Sequence, residues 1–169
     1  VFKIQLNAIF KVISAKKKKV RILLPMISNL DELEESISII DEIKNKHLVY
    51  PELVSLGVVI ETPSAALLIK EICEKVDFIS IGTNDLIQYT IAADRTNETL
   101  GDIISPYQPS VLRMLRLISN EIPEGTYVSI CGEMANDVNC LPIFIAMGVR
   151  ELSMNYYSIP KIKGCLLYT

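Results

Sequence analysis

The chain has 169 residues, half of them apolar, with a formal net charge of −3 and mean hydropathy of +0.33. That length fits one domain with a sizeable core, and the composition excludes a disordered chain. The acidic balance offers no broad basic surface to nucleic acid, and every apolar run is too short to cross a bilayer.

The first predicted element is a helix over Phe2–Ile13, with Ile4, Leu6, Ile9 and Ile13 as its apolar positions. Lys16 to Lys19 follow as a charge run that reads as a solvated turn. Val20–Ile27 is strand-like, and Pro25 marks its end. Asn29 then has the character of an N-cap, with Glu32 three residues on. Leu30, Leu33, Ile37, Ile40 and Ile43 make a stripe at helical spacing. Acidic residues load the start of this helix and lysines its end, as the helix dipole favours.

A strand is predicted over Leu56–Ile60, then a helix opened by Thr62-Pro63, with Ala65, Ala66, Leu68, Ile69 and Ile72 on its packing face. A strand over Phe78–Ile81 leads to a short helical stretch, Leu86 to Ala93, and a polar loop, Asp94 to Gln108. Pro109 opens a further helix through Val111, Leu112, Leu115 and Ile118. A strand at Tyr127–Ile130, then Ala135-Asn136-Asp137 and a helix stopping at Gly148, a strand at Glu151–Met154 and a helical end from Ile159 complete the pattern. Five strands alternating with helices predict an α/β fold with a parallel sheet and right-handed crossovers. Because an eight-stranded β/α barrel needs about 250 residues, five strands make an open sheet or part of a barrel.

Three of these apolar strands release a reactive side chain at the carboxyl end, where α/β active sites gather. Val58-Val59-Ile60 ends in Glu61, Ile79-Ser80-Ile81-Gly82-Thr83 in Asn84-Asp85, and Val128-Ser129-Ile130 in Cys131. Glu61 and Asp85 on neighbouring strands can converge on one cation, and two carboxylates without clustered histidines favour Mg²⁺ or Mn²⁺ over zinc. The alternative is that each carboxylate only starts a helix. Asn84 suits a phosphate or carboxylate oxygen, or simply a turn. Arg95 has the planar fork that matches a phosphate, or is an exposed loop charge. Cys131 can act as acid, base or nucleophile, with Glu133 near enough to tune it, though buried cysteines are commonly inert. Cys73, Cys140 and Cys165 read as small core residues, and the absence of C-x-x-C spacing points to a reduced, cytoplasmic setting. His47, the only histidine, reads as a surface residue. Val1 in place of a methionine points to an excised or incomplete chain.

Taken together, Ile60-Glu61-Thr62-Pro63, Ser80-Ile81-Gly82-Thr83-Asn84-Asp85-Leu86 with Gln88-Tyr89-Thr90, Ala93-Asp94-Arg95 and Cys131-Gly132-Glu133-Met134-Ala135 resemble the PEP-utilising enzymes. The nearest group is the phosphoenolpyruvate–protein phosphotransferases, enzyme I of the bacterial sugar phosphotransferase system, and the resemblance runs from about Phe2 to Lys163. Leu24-Pro25-Met26-Ile27 and Ser158-Ile159-Pro160 support it. Pyruvate phosphate dikinase and PEP synthase share the glycine-threonine-asparagine-aspartate turn and are the runners-up.

The resemblance implies the last five strands of a (β/α)8 barrel, so that residues 1–169 form a partial PEP-binding domain. It implies that Glu61 and Asp85 hold Mg²⁺, Asn84, Asp85 and Arg95 bind phosphoenolpyruvate, and Cys131 protonates the enolate as pyruvate forms. It further implies a phosphohistidine domain in the same protein, a downstream phosphocarrier protein and a homodimer. Three features depart from the family. No motif for the phosphate-accepting histidine is present, the arginines that the family supplies from earlier barrel strands are absent from this chain, and Asn7 stands where the family usually has a substrate-binding arginine. These departures predict little or no phosphotransfer by the isolated chain, and leave a non-catalytic binding or dimerisation module as the second reading.

Overall fold

The computed structural model of the chain describes residues 1–97 and 103–167. Its strands are β1 (Val20–Leu24), β2 (Val54–Ile60), β3 (Phe78–Gly82), β4 (Tyr127–Cys131) and β5 (Glu151–Ser153). They form one parallel sheet in the order β1-β2-β3-β4-β5. A strand order that never reverses, joined by right-handed crossovers, keeps the helices on one face, as in a β/α barrel.

The helices are α1 (Phe2–Lys16), α2 (Leu30–Lys46), α3 (Pro63–Leu67), α4 (Ile69–Cys73), α5 (Thr83–Ile91), α6 (Pro109–Glu121), α7 (Leu141–Ala146) and α8 (Ile159–Leu167). They pack on one another in sequence around that face: α1 on α2, α2 on α4, and α3, α4 and α5 on α6. Strand alternation sends Ile22, Leu24, Val58, Ile60, Ile79, Ile81, Val128 and Ile130 into this layer, and all are buried.

The opposite parity, Arg21, Gly57, Phe78, Ser80, Tyr127, Ser129, Cys131 and Glu151, lines the inner face. Arg21 on β1 donates to Glu151 on β5 at 2.7 Å, and Tyr127 donates to the same carboxylate oxygen at 2.8 Å. The Arg21 guanidinium also lies over the Phe78 and Tyr127 rings. In a flat sheet, strands one and five would stand about 19 Å apart, farther than the two side chains span. The sheet is therefore curled around its inner face, with this cluster at the amino-terminal ends of the strands.

Several boundaries differ from the sequence reading. Helix α1 extends three residues past Ile13, takes in the first lysine of the run and ends where Lys17 adopts a left-handed conformation. It buries Leu6, Phe10 and Ile13, while Ile4 and Ile9 are exposed. The helix predicted after Pro63 loosens at Leu68 into α3 and α4. Helix α5 begins at Thr83, so Asn84 and Asp85 lie in its first turn rather than ahead of it. After β4 the chain makes two 3-10 turns, Glu133–Asn136 and Val138–Cys140, before α7. Part of the predicted loop Asp94 to Gln108, residues 98–102, lies outside the described residues.

The N-caps are as predicted. Asn29 accepts from the Glu32 amide at 2.8 Å, and Thr62 accepts from the Ala65 amide with Pro63 at the first helical position. None of the cysteines is disulfide-bonded. Cys140 is buried and Cys73 half-buried, but Cys165 is exposed, because its helix offers only Ile162 to the core. No helix among the described residues is long and apolar enough to cross a membrane.

Candidate active site at the carboxyl ends of the strands

Glu61 is the first residue beyond β2. Its Oε1 accepts from the Met26 backbone N–H at 2.7 Å, which ties it to the end of β1. Met26 itself adopts a left-handed conformation, φ 57°, in the turn that aims this N–H inward. The neighbouring Thr62 hydroxyl donates to the Ile27 carbonyl and the Ser64 hydroxyl to the Ser28 carbonyl, so three bonds close the β1 and β2 ends together.

Only 8% of Glu61 is exposed. Burial pushes its pKa above the usual glutamate value; the Met26 N–H opposes this, the charge of Asp85 adds to it and that of Arg95 opposes it. The charge of Asp85 thus reaches the Glu61 carboxylate. Register explains the meeting: Ile60 pairs with Ile81, so Glu61 comes level with Gly82, and α5 starts at once. A Cβ on Gly82 would lie 2.8 Å from both Cβ and Oε2 of Glu61.

Cys131 ends β4, opposite Gly82 on β3. Its sulfur receives the Ser80 hydroxyl at 3.3 Å and faces the Ile81 carbonyl at 3.6 Å. Its own carbonyl accepts from the Thr83 hydroxyl at 3.0 Å. Burial raises the thiol pKa, the Ser80 hydrogen bond lowers it, and the charges of Glu61 and Asp85 raise it further. A thiol held neutral beside two carboxylates is equipped to donate a proton.

Asn84 accepts from the Glu133 backbone N–H through Oδ1 at 2.8 Å. Arg95 stands 3.9 Å from Asp85, and its backbone N–H donates to Gln88 Oε1 at 3.1 Å. Asn84 and Arg95, with Ile87, Met134 and the Glu133 and Asp137 carboxylates, line a cavity of about 430 Å³ beside the strand ends. Tyr107 hydrogen-bonds to Asp137 and so ties the segment before α6 to the loop after β4.

Every predicted site residue therefore sits at one rim: Glu61, Asn84, Asp85, Arg95 and Cys131. Among the described residues no three His, Cys, Asp or Glu side chains cluster as a metal cage. The donor set does fit a hard cation such as Mg²⁺. Two carboxylates suffice for an ion that completes its shell with water and phosphate oxygens. Glu61 Oε1 is committed to Met26, which leaves Oε2 on the Gly82 side for a ligand.

Asn7 is not at this rim. Its Oδ1 is 3.0 Å from His47 Nε2, at the C-cap of α2, the end that leads into the start of β2. His47 is half-buried in that contact rather than a bare surface residue. Residues the sequence reading passed over are Ser80, Thr83 and Gln88. The signal for Ser80 was its parity, a hydroxyl at an inward position of an otherwise apolar strand.

The chain matches the profile of the PEP-utilising enzyme PEP-binding domain over residues 1–168. The chain belongs to this family. It is 37% identical to the phosphoenolpyruvate-protein phosphotransferase of Streptococcus equinus over 98% of its length, and 39% identical to that of Lactococcus lactis subsp. cremoris over 98%. The phosphoenolpyruvate-protein phosphotransferase of Bacillus subtilis (strain 168) is 39% identical over 94% of this chain. The chain spans 29%, 29% and 28% of these three relatives. A citrate lyase from Burkholderia xenovorans LB400 shares the fold, with a TM-score of 0.67 at 20% identity over 94% of this chain and 53% of that one.

Proposed function

We propose that this chain supplies the phosphoenolpyruvate site of a phosphoenolpyruvate–protein phosphotransferase. The enzyme would move the phosphoryl group of phosphoenolpyruvate to a histidine in another domain and release pyruvate for the sugar phosphotransferase system. One observation supports the reading: the Glu61 and Asp85 carboxylates, the Asn84 and Arg95 side chains and the Cys131 thiol share one rim.

The divisions of labour follow from the geometry. Glu61 and Asp85 would hold Mg²⁺ or Mn²⁺, which when bound neutralises and orients phosphate charge. Asn84 and Arg95 donate to phosphate oxygens, the charge-assisted contacts on which phosphoryl transfer depends. The phosphorus–oxygen bond to the enol breaks, the phosphoryl group passes to the acceptor nitrogen, and an enolate remains. Cys131 gives its proton to the enolate carbon, forming pyruvate and a thiolate that the Ser80 hydroxyl is placed to stabilise. Solvent then returns the proton.

The chain alone lacks a candidate acceptor. His47, its only histidine, is bonded to Asn7 away from the rim. The acceptor domain, the phosphocarrier it serves, pairing of subunits through this domain and a cytoplasmic location belong to the same proposal. The relatives' names favour the phosphotransferase over a dikinase or synthase. Asn7, lying away from the rim, lends no support to a non-catalytic module.

The test is to graft residues 1–168 into the Bacillus subtilis relative in place of the segment they match. Pyruvate release with phosphorylation of the carrier is expected, with Cys131→Ala retaining phosphoenolpyruvate binding but losing turnover. A folded graft that binds phosphoenolpyruvate yet turns over equally with or without Cys131 would remove that residue from the mechanism; a folded graft that neither binds nor turns over would remove the reading.

A further inference from the structure

Gly132 has φ 103° and ψ −176°, a conformation that side chains rarely adopt. It directly follows Cys131 and turns the chain back so that the Glu133 N–H points at the end of β3. There it donates to Asn84 Oδ1 at 2.8 Å. The preceding peptide is anchored as well, because the Thr83 hydroxyl, fully buried, donates to the Cys131 carbonyl at 3.0 Å. The fit is close. A Cβ on Gly132 would collide with Thr83 Oγ1 and stand 2.8 Å from Asn84 Oδ1.

A carboxamide has one acceptor end and one donor end, and a hydrogen bond to one fixes the direction of the other. An amide N–H can only donate, so the Asn84 atom facing Glu133 is its oxygen. The NH₂ group must then face away from Glu133, on the side where Asn84 borders the cavity that Arg95 also lines. We infer that Gly132 and Thr83 are positioning residues that pre-set the Asn84 amide as a donor for an anionic oxygen. This rests on the reading of the rim as a phosphoenolpyruvate site and adds to it how one binding group is oriented before substrate arrives. Neither residue need touch the substrate. Holding a donor in place beforehand avoids reorganisation on binding. The Glu133 contribution comes from its backbone, so its side chain is dispensable for this role.

The experiment follows the side-chain NH₂ resonances of Asn84 in the ¹⁵N-labelled chain, assigned by their loss in Asn84→Asp, together with titration of inorganic phosphate and of phosphoenolpyruvate with Mg²⁺. The wild-type pair should resonate away from the exposed asparagines and shift on titration. Gly132→Ala should collapse the pair towards exposed values and weaken anion binding about tenfold or more, the scale of a lost hydrogen bond to a charged group. Thr83→Val should do the same in part, with Thr83→Ser restoring both signals. Because Gly132→Ala strains the backbone, the Thr83 series stands as the independent arm.

If the wild-type chain binds phosphoenolpyruvate and folded Gly132→Ala and Thr83→Val bind it equally well, the positioning role is overturned. If the wild-type pair is locked but neither anion binds, the phosphoenolpyruvate reading fails, and the positioning role fails with it.

Discussion

Ser80 Oγ donates to Cys131 Sγ at 3.3 Å, diagonally across the β3–β4 pair on the inner face of the sheet. Ser80 is buried, and this is its hydrogen bond to the group that the proposed mechanism leaves charged after proton donation. The other charges facing that sulfur, Glu61 and Asp85, both disfavour the thiolate. Ser80→Ala should move the alkylation profile of Cys131 by iodoacetamide, read by peptide mass spectrometry, to higher pH. In the graft it should lower turnover about tenfold or more with little change in substrate binding. An unshifted profile would show that the hydroxyl does not stabilise the thiolate.

Glu61 is held at a cost to the metal-free fold. Its folded pKa lies above the ordinary glutamate value of 4.5, chiefly through burial. Between those two values the folded chain binds more protons than the unfolded one, so stability falls as pH rises through the folded pKa. Glu61→Gln keeps an acceptor for the Met26 N–H and removes the charge. The metal-free variant should melt higher than wild type at neutral pH, and the difference should shrink as pH falls and Glu61 takes up its proton. At this length each kcal/mol moves the midpoint by about 2–4 °C. Mg²⁺ should raise the wild-type midpoint and leave the variant unmoved.

Gly82 leaves room for the Glu61 side chain beside β3. In Gly82→Ala the new methyl group would lie 2.7 Å from a Val59 methyl and 2.8 Å from Glu61 Oε2. Glu61 must then swing from its place. The expected outcome is loss of Mn²⁺ binding, measured by electron paramagnetic resonance, with a destabilisation of about 1–3 kcal/mol from overpacking.

Asn7 provides a test in which the expected change is small. Its contact with His47 places it on the α1–α2 seam, away from the strand-end rim. Asn7→Arg should leave phosphoenolpyruvate affinity within about twofold of wild type, the scale of a surface substitution remote from the site. A large gain would mean that the position reaches the substrate after all.

Much of this arrangement was legible in the chain because burial in a parallel sheet leaves a plain mark. Val58-Val59-Ile60 and, but for Ser80, Phe78–Gly82 are apolar on both faces, so a charged or amide residue appearing just beyond them announces the strand end. The caps at Asn29 and Thr62 were legible because their chemistry is local. What escaped the sequence depended on geometry between strands. The curl that brings Arg21 to Glu151 spans 130 positions, and no local preference encodes it. The early start of α5 coincides with the Thr83 hydroxyl reaching across to the Cys131 carbonyl, a contact between strands that local helix propensity does not encode. The contact of Asn7 with His47 was not legible because position along α1 does not reveal which neighbour the side chain meets.

The central claim is that Glu61 and Asp85 act as one cation site beside the phosphate-binding pair. Calorimetric titration of phosphoenolpyruvate into the chain tests it most directly, with Mg²⁺ and with chelator, for wild type and Glu61→Ala. Saturable heat that requires Mg²⁺ and disappears in Glu61→Ala is the predicted result. Heat that is the same with chelator, or unchanged by Glu61→Ala, would contradict it.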